Sequence, residues 1–215
     1  MDKKKLIKEI ITRLEKQYGN KGTALKFQNP FELLVAVILS AQCTDERVNA
    51  ITPALFKRFT GPKEMAEADL SEIEDMIRSC NFFRNKAKSI HNAAKMITDK
   101  FDGKVPDSMV ELVKLPGVAR KTANVVLYNA FGKNEGIAVD THVKRLVNRL
   151  GISDETDPVK IERELMKLVP KNQWGLITYL LIEHGRRVCK ARKPDCENCV
   201  LKDICKEARK REGKK

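Results

Sequence analysis

With 215 residues, 42% of them hydrophobic, the chain is long enough to bury one large core or two smaller ones, which argues against a disordered polyelectrolyte. Its 42 lysines and arginines against 29 acidic residues leave a formal charge of +13, so a polyanionic partner, nucleic acid first, is implied. The most apolar run, Phe31 to Ala41, is about half of the ~20 residues a bilayer span needs, and charges interrupt the apolar part of the N-terminus, so neither a membrane anchor nor a secretory signal is expected and a cytoplasmic protein is.

Helical spacing dominates from the start and strand alternation is absent, so the expected fold class is all-α. Leu6, Ile7, Ile10, Ile11 and Leu14 form one face of a first helix that ends near Gly19. Asn29 followed by Pro30 has the cap and the first-turn proline in the order of a helix start, and the apolar run that follows reads as a buried core helix. Helices are predicted over 45–59, 69–79, 83–101, 107–114, 119–131, 141–150, 158–169 and 172–185, separated by Gly, Pro, Asn and Asp. That makes about ten short helices, without internal repeats and without a Pro/Gly/Ser linker.

The segment 107–127, DSMVELVKLPGVARKTANVVL, reads as helix, a four-residue turn Leu115–Val118, then helix. Gly117 permits close backbone approach, and the N-terminus of the second helix offers N–H groups, which together suit a phosphate as well as they suit an ordinary helical hairpin. Lys121 lies in the first turn of that second helix, where the dipole works against the ammonium form, and a free amine is what nucleophilic attack requires. A solvated or phosphate-facing charge is the plainer role. Asp140 follows the apolar Ile137, Ala138 and Val139 and opens a helix, for which either it or Thr141 is the N-cap. The same carboxylate could accept a proton or stabilise a cationic sugar. His142 beside it reads as a hydrogen-bonded supporting residue.

Four of the six cysteines fall within 189–205 at the spacing C-x6-C-x2-C-x5-C. In a cytoplasmic chain such clustering favours metal ligation over disulfides. Only Cys196 and Cys199 have the C-x2-C spacing that zinc sites use in pairs, whereas one compact loop of four thiolates suits a [4Fe-4S] cluster; structural zinc is the alternative. Cys43 and Cys80 read as isolated small core residues.

In this order, LSAQCTDERVN (39–49), LPGVARKTANVVL (115–127), AVDTHVKR (138–145) and the four-cysteine loop resemble the helix-hairpin-helix DNA glycosylases and, within them, the endonuclease III type, over nearly the whole chain. The resemblance implies two lobes: a six-helix barrel carrying the hairpin over 22–132, and a helical cluster lobe made of 1–21 with 133–215. It implies a [4Fe-4S] cluster held by Cys189, Cys196, Cys199 and Cys205. It also implies a monomeric glycosylase and abasic-site (AP) lyase of base excision repair, bound to double-stranded DNA that contains damaged bases, oxidised pyrimidines among them, or abasic sites. In that chemistry the base is flipped out of the duplex, Lys121 attacks C1′ of the sugar, Asp140 supports lysine activation and the cationic sugar, and the Schiff base that results leads to strand cleavage 3′ to the abasic site by β-elimination. Gln42 then fills the gap left by the flipped nucleotide, and Phe82 is the apolar wedge against the opposite strand, although an aromatic in a helical protein is more often core. Leu115, Gly117, Val118 and Arg120 contact DNA at the hairpin, and Lys190, Arg192 and Lys193 face phosphate from the cysteine loop. A monofunctional mismatch glycosylase and a non-catalytic DNA-binding module with structural zinc are the competing expectations.

Overall fold

The computed structural model describes residues 2–20 and 22–212, which contain twelve α-helices and no strand. The chain divides into two compact units, Thr23–Lys133 and Met1–Gly22 with Asn134–Lys215.

The first unit holds α2 (Pro30–Ser40), α3 (Asp45–Arg58), α4 (Pro62–Glu67), α5 (Leu70–Met76), α6 (Phe83–Lys100), α7 (Met109–Leu112) and α8 (Arg120–Phe131). Local chemistry starts α2 firmly. Asn29 Oδ1 accepts from Glu32 N–H at 3.0 Å, the Glu32 carboxylate accepts from Gln28 N–H at 2.7 Å, and Pro30 fills the first helical position. Phe31 and every residue from Leu33 to Leu39 are buried, so α2 has scarcely any wet face, and α3, α6 and α8 pack against it. This explains an apolar run too short for a membrane; no described helix is long and apolar enough to cross one.

The hairpin is tighter than the sequence predicts. Of 107–114 only Met109–Leu112 is α-helical, capped by Ser108, whose hydroxyl accepts from Glu111 N–H. The next bonds close three residues back, Lys114 N–H to Glu111 O, Leu115 N–H to Leu112 O and Val118 N–H to Leu115 O. Pro116, which lacks a donor and pushes its predecessor out of the α region, ends the helix there.

Gly117 has φ +78°, and a Cβ at this position would lie 2.7 Å from Ser89 Cβ and 3.6 Å from Ile38 Cγ2. The turn is therefore pressed onto α6 and α2 by backbone contact. Gly117→Ala is expected to lower the unfolding free energy by about 2–4 kcal/mol, left-handed strain and overpacking together. In a double-mutant cycle with Ser89→Gly, roughly half of that loss should return as coupling in urea melts. Zero coupling would mean that the turn does not rest on Ser89.

The second unit holds α1 (Lys3–Tyr18), α9 (Thr141–Leu150), α10 (Pro158–Leu168), α11 (Trp174–Arg187) and α12 (Lys206–Glu212). The apolar face of α1, Leu6 to Leu14, is buried with Val143, Leu146 and Val147 of α9, Leu165 of α10 and Ile177, Leu180 and Leu181 of α11. Residues from both ends of the chain thus share one core, and no linker is needed because the chain leaves this unit and returns to it.

Candidate functional site

In the Thr23–Lys133 unit, two turns next to α2 and α6 carry exposed tips. Gln42 and Phe82 both adopt left-handed backbone, φ 54° and 59°, which costs a non-glycine residue about 1–3 kcal/mol unless its surroundings enforce it. Two bonds enforce it here. Asn81 Nδ2 donates to the Gln42 carbonyl at 2.8 Å, and the buried Lys86 of α6 donates Nζ to the Leu39 carbonyl at 2.7 Å, satisfying the C-terminal end of α2. Phe82 is 61% exposed, so it is not core; a large aromatic held in water on a fixed turn marks a contact surface. Cys43 and Cys80 are not isolated either, since their sulfurs are 3.7 Å apart beneath these tips.

The hairpin meets the same two helices, with Gly117 against Ile38 of α2 and Ser89 of α6. Here the structure separates the residues that the sequence grouped. Leu115 and Val118 point into the core, and the Val118 N–H is bonded within the turn, so neither offers a side chain to a ligand. Gly117, Arg120 and Lys121 are exposed, with Lys121 the second residue of α8. From the turn to the start of α8 the charged surface is therefore Arg120 and Lys121, beside the exposed backbone of Gly117.

In the other unit Asp140 caps α9, its Oδ1 accepting from Val143 N–H at 2.8 Å. The cap uses one carboxylate oxygen, and among the described residues Oδ2 has no hydrogen-bond partner. His142 Nδ1 accepts from Arg145 Nη2 at 3.1 Å; burial, more than any neighbouring charge, pushes the imidazole below its usual range and keeps it neutral. A Cβ on Gly185 would lie 2.8 Å from that nitrogen, so α11 presses against the ring as closely as backbone allows.

Cys189, Cys196, Cys199 and Cys205 line one cavity together with Leu146, Arg149, Leu150, His184, Val188 and Leu201. Four thiols that face one cavity from a single 17-residue segment suit a [4Fe-4S] cluster. Burial, helped by the neighbouring cysteines, pushes the Cys199 thiol up to about 11, and burial raises Cys205 as well. Four thiolates in this cavity require cationic charge among them, which the iron of a cluster supplies.

Donors reach two of the four sulfurs. Arg149 Nη1 reaches Cys189 Sγ at 3.3 Å, Leu201 N–H reaches Cys199 Sγ at 3.4 Å, and His184 Nε2 lies 3.3 Å from Cys199 Sγ. A ligating thiolate can only accept, which makes Nε2 the donor and leaves Nδ1 to accept from the Tyr18 hydroxyl at 2.9 Å. Burial holds His184 near 4 and Tyr18 near 12, so the histidine stays neutral and the tyrosine keeps its proton. Arg149 also donates to the Lys190 and Ala191 carbonyls at 2.8 and 2.7 Å, and Arg145 to the Cys189 carbonyl at 3.0 Å. The loop from Cys189 to Cys196 is thus pinned by two arginines of α9, while Lys190, Arg192 and Lys193 project from it exposed.

Sequence reasoning missed Tyr18, Lys86, Arg145, Arg149 and His184. Only the four-residue spacing of Arg145 and Arg149 on the helix opened by Asp140 could have signalled a pair reaching one target.

Residues 35–171 match the family of HhH-GPD superfamily base excision DNA repair proteins, and residues 189–205 match the iron-sulfur binding domain of endonuclease III. The chain is 54% identical to endonuclease III of Synechocystis sp. over 96% of its length and 94% of the relative's. It is 45% identical to endonuclease III of Bacillus subtilis over 98% and 96%. Its fold superimposes on the solved structure of a trapped endonuclease III–DNA covalent intermediate with a TM-score of 0.93 at 43% identity, covering 99% of this chain and all of that one. An all-helical chain with a glycine turn that presents backbone and lysine, and with four cysteines around one donor-rich cavity, agrees with these matches throughout, and the chain belongs to the endonuclease III family of the HhH-GPD superfamily.

Proposed function

We propose that this chain repairs DNA as a bifunctional glycosylase and AP lyase, removing oxidised pyrimidines with Lys121 as nucleophile and Asp140 as the supporting carboxylate. One observation carries the reading: the chain matches, end to end, a relative trapped in covalent linkage to DNA, and a covalent intermediate demands a nucleophile. Lys121 is the amine that fits. It is exposed four residues beyond Gly117, whose turn shows exposed backbone at positive φ.

The reaction follows from these groups. Lys121 loses a proton to become a free amine, and its Nζ attacks C1′ as the damaged base leaves with the bonding electrons. Asp140 serves as proton acceptor and as counter-charge for the cationic sugar through the oxygen that the helix cap does not use. Opening of the sugar ring gives a Schiff base, which acidifies the 2′ proton; its removal expels the 3′ phosphate oxygen and breaks the strand, and water then releases the lysine.

Recognition rests on the fixed tips and on charge. Gln42 occupies the gap in the duplex and Phe82 wedges against the opposite strand, with the strain of their backbone already met in the free protein. Gly117 and Arg120 at the hairpin, and Lys190, Arg192 and Lys193 on the cysteine loop, meet phosphates. When bound, the [4Fe-4S] cluster cross-links four points of the C-terminal segment. Arg149 and Arg145 carry that rigidity to the basic loop through its carbonyls. The chain acts in the cytoplasm on the nucleoid, where its substrate lies.

The test is direct. Incubation of the protein with duplex bearing one oxidised pyrimidine should release the base and yield a strand cut 3′ to the site, and borohydride added during the reaction should trap a protein–DNA adduct. Base release without cutting or trapping would favour the monofunctional alternative. Binding with neither would favour the non-catalytic one.

A further inference from the structure

Beneath the two tips lies a pair of thiols that the repair chemistry does not use. Cys43 and Cys80 are 37 residues apart in sequence, yet their sulfurs are 3.7 Å apart. Cys43 is partly exposed and Cys80 is buried. The backbone frame around them is fixed by the Asn81–Gln42 and Lys86–Leu39 bonds, so the thiols are held in contact rather than meeting by chance fluctuation. Closure to the ~2.05 Å of a disulfide needs an approach of about 1.7 Å at two residues and no refolding. Two cations also act on the pair: burial and the neighbouring Cys43 push the Cys80 thiol up to about 11, whereas Lys86 and Arg47 work in the opposite direction and favour a thiolate during exchange.

We propose that Cys43 and Cys80 form a reversible disulfide, and that this modification shifts the tips bearing Gln42 and Phe82 out of the arrangement that grips a lesion. The second half rests on the DNA contacts proposed above. The oxidant is a low-molecular-weight disulfide such as glutathione disulfide. The Cys43 thiolate, the accessible one, attacks one sulfur and releases the first glutathione thiolate, forming a mixed disulfide. Cys80 loses its proton and attacks the Cys43 sulfur, which releases the second glutathione thiolate. The protein gives up two electrons and two protons, and glutathione disulfide becomes two glutathione molecules.

The pull of closure falls next to the tips. Cys43 adjoins Gln42, and Cys80 is two residues from Phe82, both tips already in strained backbone. Hairpin and cysteine loop lie elsewhere in the chain, so attraction to undamaged phosphates should persist while the fit to a lesion is lost.

The test uses the cluster-loaded protein, purified anaerobically and equilibrated with glutathione disulfide, after which free thiols are alkylated and the peptides weighed. A peptide linking Cys43 to Cys80, two hydrogens lighter than its parts and cleaved by dithiothreitol, is expected while the visible absorption of the cluster is unchanged. The oxidised protein should bind duplex with an abasic-site analogue about tenfold more weakly or worse, a misfit of ångström size, with little change on undamaged duplex. Cys43→Ser and Cys80→Ala should each abolish the linked peptide and hold the affinity of the reduced protein under the same oxidant. Alkylation of both cysteines, or a stable glutathione adduct on Cys43, would overturn the disulfide. A disulfide that leaves abasic-site affinity intact would overturn the switch alone, whereas a reduced protein with no preference for the abasic analogue would sink the function proposed above as well.

Discussion

Lys121→Gln should abolish borohydride trapping and reduce strand cleavage to the background of the abasic site itself. A glutamine amide cannot form a Schiff base, so no residual fraction of the pathway survives the change. Binding should survive. Lys121 is exposed on the first turn of α8, and loss of an exposed cation costs ~0–1 kcal/mol, so affinity for an abasic-analogue duplex should fall by no more than about fivefold. The fold should be unaffected, because Lys121 is exposed and glutamine is about as good a helix former as lysine. Gel analysis of trapped adduct beside a binding isotherm settles the role: normal trapping by the variant would assign the nucleophile to another amine, and loss of trapping together with loss of binding would make Lys121 a phosphate contact.

Asp140 offers the second large effect, and its two functions can be separated. Asp140→Asn keeps an oxygen where Oδ1 accepts the Val143 N–H, and asparagine caps about as well as aspartate, so unfolding should shift by ~0.5 kcal/mol or less. The amide neither accepts a proton nor carries counter-charge, and removing a positioned acid–base group costs ~10²–10⁴-fold in rate. Single-turnover base excision should fall by that factor while abasic-analogue binding remains. Asp140→Ala should lose about the same rate and, in addition, ~1 kcal/mol of stability for the missing cap. If Asp140→Asn turns over as the parent does, the residue is only a cap.

These outcomes bear on how the site is encoded. The apolar face of α1, the Asn29–Pro30 start of α2 and the Asp140 cap each depend on partners within four residues, and all three were legible before any fold was known. The all-helical class followed from the same short-range periodicity. The cysteine spacing was legible for a related reason: four thiols within 17 residues need no distant segment to meet.

Other features depend on which helices pack together. The sequence grouped Leu115 and Val118 with Gly117 as DNA contacts, and packing turned the first two inward, because apolar side chains in a turn pressed onto α2 and α6 are worth more buried than wet. It left Phe82 between core and wedge; the left-handed turn, held by Asn81 and Lys86, keeps the ring in water.

By itself, then, the sequence determined the all-helical class, most of the helices, the Asn29 cap and the family, since each is written in local spacing or in motifs of a few residues, whereas the short α4 and α12 carried too little periodicity to be read. Tertiary structure alone decided that Arg149 reaches Cys189, that Tyr18 orients His184 from 166 residues away, and that Cys43 touches Cys80. The physical reason is that contacts at such separations gain nothing from local propensity. They exist only because buried helix faces, each stabilised by about 25 cal/mol for every Å² of apolar surface removed from water, lock the backbone into one arrangement, and the polar partners are those which that arrangement brings within reach.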